Sequence, residues 1–110
     1  VKTPHYIHSK ETLAFAGLYS WWRADPEDPW MLTATILTMP TVPELAAIHD
    51  RNPVPIPEEF WNSWLDPKTS GTQELVNAAV QAAIPVAAGL KEYRVNPIKG
   101  NGPELILPVA

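Results

Sequence analysis

Apolar and polar positions change period several times along this chain, and each change predicts an element. Residues 4–8, Pro-His-Tyr-Ile-His, alternate at the two-residue period of a half-buried strand, and Ser9-Lys10-Glu11 supplies a turn. Residues 13–22, Leu-Ala-Phe-Ala-Gly-Leu-Tyr-Ser-Trp-Trp, are apolar almost throughout and read as a longer, largely buried strand. The two predict a hairpin, with Gly17 marking a bulge or a close backbone approach. Residues 24–29 are a loop by composition, and the β-branched, apolar run from Trp30 to Thr38 reads as a central strand.

The period then lengthens. Thr41 and Glu44 have the spacing of a capping box, predicting a short helix over residues 45–48 that delivers His49 at its end. Glu58–Leu65 predicts an acid-started helix stopped by Pro67, with Phe60, Trp61, Trp64 and Leu65 on one core-facing stripe. Residues 70–84 predict a second helix, with Ser70 and Gln73 as its capping box and Leu75, Val76, Ala79, Val80 and Ala83 on its buried face. Strand-like pieces follow at residues 93–95 and 105–107, around the turn-rich segment 99–103. The fold class is α+β: a mainly antiparallel, curled sheet flanked by short helices.

Composition narrows this picture. A chain of 110 residues, 45% hydrophobic with five Trp, is one small domain with enough apolar surface for a core. Thirteen scattered Pro punctuate many short elements and argue against a helical bundle. The absence of Cys excludes disulfides, Cys-based zinc sites and a thiol nucleophile within these residues. No phosphate-binding glycine loop or nucleophile elbow is present, and no apolar run reaches membrane-spanning length. His5 and His8 would lie on opposite faces of a strand, which disfavours a shared metal, and no cofactor is expected. The net charge of −4 offers no general attraction for nucleic acid, although Lys91, Arg94 and Lys99 cluster near the end.

The chemistry concentrates in Ile48-His49-Asp50-Arg51-Asn52-Pro53-Val54-Pro55. Pro53 and Pro55 hold this stretch extended, so His49 and Arg51 should share a face while Asp50 points away. A proton-transfer group beside a planar, always-charged anion binder suits a phosphate-bearing substrate. A helix-capping His and a surface ion pair of Arg51 with Asp50 or Glu44 would explain the same residues structurally.

The string IHDRNPVPIPEEFWNSWLDP resembles the HDRMPV…WL signature of the SOS-response-associated peptidase (SRAP) family. TPHYIHSKETLAFAGLYSWW, LTATILT and RVNPIKGNGPELILPV agree with it in the family's order. Asn52 departs from the Met common at that position. The resemblance implies a barrel-like sheet and a protein that binds single-stranded DNA and crosslinks abasic sites through an N-terminal Cys. An autoproteolytic peptidase step would expose that Cys. It further implies His49 as general acid/base and Arg51, Thr38, Lys99 and Asn96 as DNA contacts. Because the family's Cys has no counterpart here, residues 1–110 are expected to be the C-terminal portion of one SRAP-like domain. Its partners would be abasic single-stranded DNA and the N-terminal half of the same domain. The expected location is cytoplasmic, nucleoid-associated during action on DNA. A non-catalytic DNA-binding or interaction module is the alternative.

Overall fold

The computed structural model describes residues 3–109. In chain order it contains β1 (His5–His8), β2 (Gly17–Trp22), β3 (Met31–Ile36), β4 (Thr38–Pro40), β5 (Arg51–Pro53), α1 (Glu58–Leu65), α2 (Gln73–Ala88) and β6 (Lys91–Arg94). Short 3₁₀ turns occupy Pro43–Leu45 and Pro103–Ile106. The α+β class is as expected, but the strands form three antiparallel pairs, β1–β6, β2–β3 and β4–β5. No closed barrel is present among the described residues. The chain divides into two compact units, Leu13–Ala88 and the paired ends Val1–Thr12 with Gly89–Ala110.

In the larger unit, the expected pairing of residues 13–22 with residues 4–8 does not occur. The backbone of Ala14–Ala16 is engaged elsewhere: Ala16 N–H donates to Val54 C=O (2.8 Å) and Ile56 N–H to Ala14 C=O (2.9 Å). The predicted strand 30–38 also breaks at Leu37, and for a related reason. Leu37 N–H donates to Ala16 C=O (2.9 Å), while Val54 N–H donates to Leu37 C=O (3.1 Å). Ala16, Leu37 and Val54 thus close a ring of three backbone hydrogen bonds. Ala16 and Val54 are both 0% exposed, so their backbone groups depend on that ring for satisfaction.

Around the ring lies a core of Met39, Val42, Leu45 and Ile56. α1 forms where predicted, yet its stripe is only partly buried: Phe60, Trp61 and Trp64 are half-buried and Leu65 is exposed. The two indoles fix the helix by their polar ends, Trp61 Nε1 to Ile56 C=O (2.9 Å) and Trp64 Nε1 to Gly17 C=O (3.1 Å). Gly17 does mark a close backbone approach, since a Cβ there would stand 3.1 Å from Thr35 O. Asp66 ends α1, and hydrogen bonds from Lys68 N–H and the Thr69 hydroxyl hold its carboxyl below the usual carboxylate range. Its support of the turn is therefore in place at neutral pH and lost as acid protonates it through that lowered value.

α2 starts later and ends later than the 70–84 expectation. Thr72, not Ser70, caps it, its Oγ1 accepting from Leu75 N–H at 3.1 Å. Pro85 lies inside the helix rather than stopping it. Pro85 and Gln81 are both exposed, so water can take the carbonyl that the missing N–H leaves free. Ala79, Ala83 and Ala87 form the fully buried ridge, and α2 packs against α1 and the 43–45 turn.

The Thr41–Glu44 capping box and the helix over 45–48 are replaced by the 3₁₀ turn with Val42 at its N-cap. Val42 N–H donates to Asn52 Oδ1 (3.1 Å), and Asn52 Nδ2 donates to Pro53 C=O (2.8 Å). Asn52, 6% exposed, is the one buried polar side chain among the described residues.

In the smaller unit β1 pairs with β6 in the register His5–Arg94, Tyr6–Tyr93, Ile7–Glu92 and His8–Lys91. Tyr6, His8 and Tyr93 rings meet with centroids 5.4–5.5 Å apart, and the Tyr93 hydroxyl donates to Ile106 C=O. The strand expected at 105–107 is instead the end of the 103–106 turn, with a single bridge from Val95 to Pro108.

Replacing Asn52 with Ala should lower unfolding stability by about 1–3 kcal/mol, because Val42 N–H is left buried without an acceptor. Urea denaturation reads this directly. An unchanged midpoint would show that the Asn52 hydrogen bonds are dispensable.

Candidate functional site

β4 and β5 run antiparallel with Thr38 opposite Pro53 and Pro40 opposite Arg51. Thr38 and Arg51 are therefore diagonal neighbours on one face of the ladder, close enough for side chains to meet. They do: Arg51 Nε donates to Thr38 Oγ1 at 3.0 Å. The hydroxyl holds the guanidinium by its inner nitrogen, and both residues are exposed. The alternative ion pair with Asp50 or Glu44 is not formed, as no carboxylate among the described residues lies within salt-bridge distance of Arg51. The terminal nitrogens remain available to an external anion, the bidentate geometry that suits phosphate.

His49 sits just before β5, where the turn after Leu45 ends; its own N–H donates to Leu45 C=O at 3.2 Å. Its Nδ1 lies 3.1 Å from Arg51 N, 3.0 Å from Arg51 O and 3.1 Å from Asp50 Oδ1. Asp50 thus does not point away from His49 as strict alternation required, because regular strand geometry begins only at Arg51. The three neighbours suit both charge states of the ring. Without a proton Nδ1 accepts the Arg51 N–H, and carrying one it donates to the Arg51 carbonyl or the Asp50 carboxylate. Nε2 has no hydrogen-bond partner among the described residues. The second ring nitrogen is left for a substrate.

The structure therefore brings Thr38, His49 and Arg51 together on one exposed ledge. Asn96 and Lys99 belong to the other unit, where both are exposed in the irregular segment before Gly100. Sequence reasoning missed two members. Asp50 is the carboxylate beside His49, and Asn52 is the buried pin beneath the ledge. A lone Asn in a stretch otherwise made of Pro and aliphatics was the available signal for the second. No group of three or more His, Asp or Glu that could hold a metal occurs among the described residues. No helix among the described residues is long and apolar enough to cross a membrane.

A family model described as SOS response associated peptidase (SRAP) matches residues 1–99. The chain belongs to the SRAP family. It is 36% identical over 104 residues to the abasic site processing protein YoqW of Bacillus subtilis, covering 91% of this chain and 45% of that relative. It is 33% identical over 100 residues to the abasic site processing protein YobE of the same organism, covering 91% and 43%. A crystal structure of a protein from Bacteroides thetaiotaomicron shares the fold with a TM-score of 0.71 at 20% identity, over 98% of this chain and 49% of that one. The chain spans less than half the length of these relatives.

Thr38→Val should free the Arg51 side chain, seen as loss of a slowly exchanging Nε–H signal, and an unchanged signal would show that the hydroxyl does not hold it.

Proposed function

We propose that this chain is the C-terminal portion of an SRAP domain that binds single-stranded DNA at abasic sites and links to them covalently. The observation that carries this reading is the Thr38–Arg51–His49 ledge. There a tethered guanidinium with free terminal nitrogens stands beside an imidazole that has acceptors arranged for its protonated form.

In this reading Arg51 binds a phosphate flanking the lesion, and Thr38 fixes the guanidinium so that little side-chain freedom is lost on binding. Asn96 and Lys99 add backbone contacts. The nucleophile is an N-terminal Cys on residues outside this sequence, exposed by an autoproteolytic peptidase step. Its α-amine attacks the aldehyde of the ring-opened abasic sugar and loses water to give an imine. The thiol then adds across the C=N bond and closes a thiazolidine ring. His49 supplies the proton that opens the sugar ring and assists departure of water, then recovers it when the link reverses. The larger unit around the ledge carries only three basic residues, Arg23, Arg51 and Lys68, against nine acidic ones. Binding there is a matter of specific contacts rather than of a general field.

A second reading, a DNA-binding or interaction module without catalysis, is favoured by the absence of any Cys in the sequence. The protein isolated from its native source, mixed with single-stranded DNA bearing one abasic site and run on a denaturing gel, separates the two. A band that survives denaturation and vanishes when the N-terminus is blocked is expected. His49→Ala should then slow formation or reversal of the link by roughly 100-fold. Reversible binding with no stable band would sink the crosslinking proposal in favour of the module.

A further inference from the structure

Asp50 is out of place on a ledge that binds anions. Its side chain is 91% exposed, and its negative charge opposes any phosphate brought to Arg51, the next residue. Among the described residues, no cationic group other than His49 lies within salt-bridge distance of it. A contribution from Asp50 to the ledge therefore passes through His49, whose Nδ1 is 3.1 Å from Asp50 Oδ1. The backbone holds both residues in place. His49 N–H donates to Leu45 C=O (3.2 Å), and Asp50 C=O accepts from Thr41 N–H (3.1 Å).

Nδ1 meets two competing demands. The Arg51 N–H at 3.1 Å calls for a bare nitrogen, whereas the Arg51 carbonyl at 3.0 Å and the Asp50 carboxylate call for a protonated one. A hydrogen bond to an ionised acceptor is roughly twice as strong as one between neutral groups, which tips the balance toward Nδ1–H. Arg51 is an exposed residue, where water can take over its N–H.

We propose that Asp50 is a positioning residue for His49. Its carboxylate keeps a proton on Nδ1 and leaves Nε2 as the nitrogen that exchanges protons with the substrate. The inference rests on the proton-transfer role proposed above for His49. When the imidazolium gives a proton from Nε2, the ring becomes neutral with Nδ1–H still donating. When Nε2 takes the proton back, the imidazolium is restored, and Asp50 stays ionised throughout. Without the carboxylate, Arg51 N–H claims Nδ1 and the neutral ring carries its proton on Nε2. The nitrogen left for the substrate can then no longer accept one. Asp50 thus acts on the rate of the chemistry, while its charge works against binding.

The test compares the complete native protein with its Asp50→Ala variant. Nitrogen-15 spectra at mildly alkaline pH, with the His49 signal assigned by its loss in His49→Ala, should show the Nδ1–H tautomer in the native protein. The variant should show the Nε2–H tautomer. Asp50→Ala should slow covalent linkage to abasic single-stranded DNA by about tenfold, while affinity for intact single-stranded DNA stays equal or rises. In a His49→Ala background the same substitution should slow linkage no further, because it acts through the ring. Four results overturn the proposal: an Nε2–H ring in the native protein, a tautomer that ignores the substitution, an equal loss of rate with and without His49, or a loss of rate matched by a loss of affinity. The two readings fail separately. A native protein that forms no link removes the proposed function, while the spectra still decide whether Asp50 places the ring proton. A link formed by a protein whose ring is Nε2–H ends this inference and leaves the proposed function standing.

Discussion

The larger unit depends on the hydrogen-bonded ring of Ala16, Leu37 and Val54. Three chain segments far apart in sequence meet there, each donating one N–H and accepting at one C=O. Each such bond contributes only about 1 kcal/mol net, but a buried group deprived of its partner costs about 1–3 kcal/mol, so the three stand or fall together. Side chains at this point must be small or tightly packed, and Ala16 and Val54 are fully buried. The ring turns the chain from the β2–β3 ladder into the β4–β5 ladder at Leu37, which sets Thr38 as the first residue of the strand facing β5.

The ledge inherits its geometry from that junction. Thr38 lies one residue beyond Leu37, and Arg51 lies three before Val54. The ladder between them places hydroxyl and guanidinium in contact. Asn52 points the opposite way from Arg51, into the core, where it holds the Val42 backbone. One short strand thus presents a guanidinium to solvent and a structural pin to the interior.

Local features were legible in the sequence and long-range ones were not. The bounds of α1 followed from Pro57, two acids and Pro67, all of which act within a turn or two. α2 was expected to end at residue 84, yet it runs on through Pro85 to Ala88, with the carbonyl of Gln81 that Pro85 leaves unpaired on the wet side. The hairpin expected between residues 4–8 and 13–22 failed because the backbone of Ala14–Ala16 has better-placed partners near Val54, a preference no local pattern records. β1 meets β6 across almost the whole chain for the same reason. At the site, the His49–Arg51 spacing announced an exposed pair. Thr38 entered only through the family resemblance, and Asp50 was misplaced because alternation was applied one residue before the strand begins. The family itself was plain in the string around His49, whose order of residues is far more specific than any periodicity.

Arg51 is proposed to meet a DNA phosphate. The most direct measurement is the salt dependence of binding of the native protein to single-stranded DNA with an abasic site, compared with Arg51→Ala. Loss of one phosphate contact lowers the slope of log K against log salt by about 0.7, with weaker binding at low salt. An unchanged slope and affinity would contradict a phosphate contact at Arg51 and, with it, the ledge as the DNA-binding site.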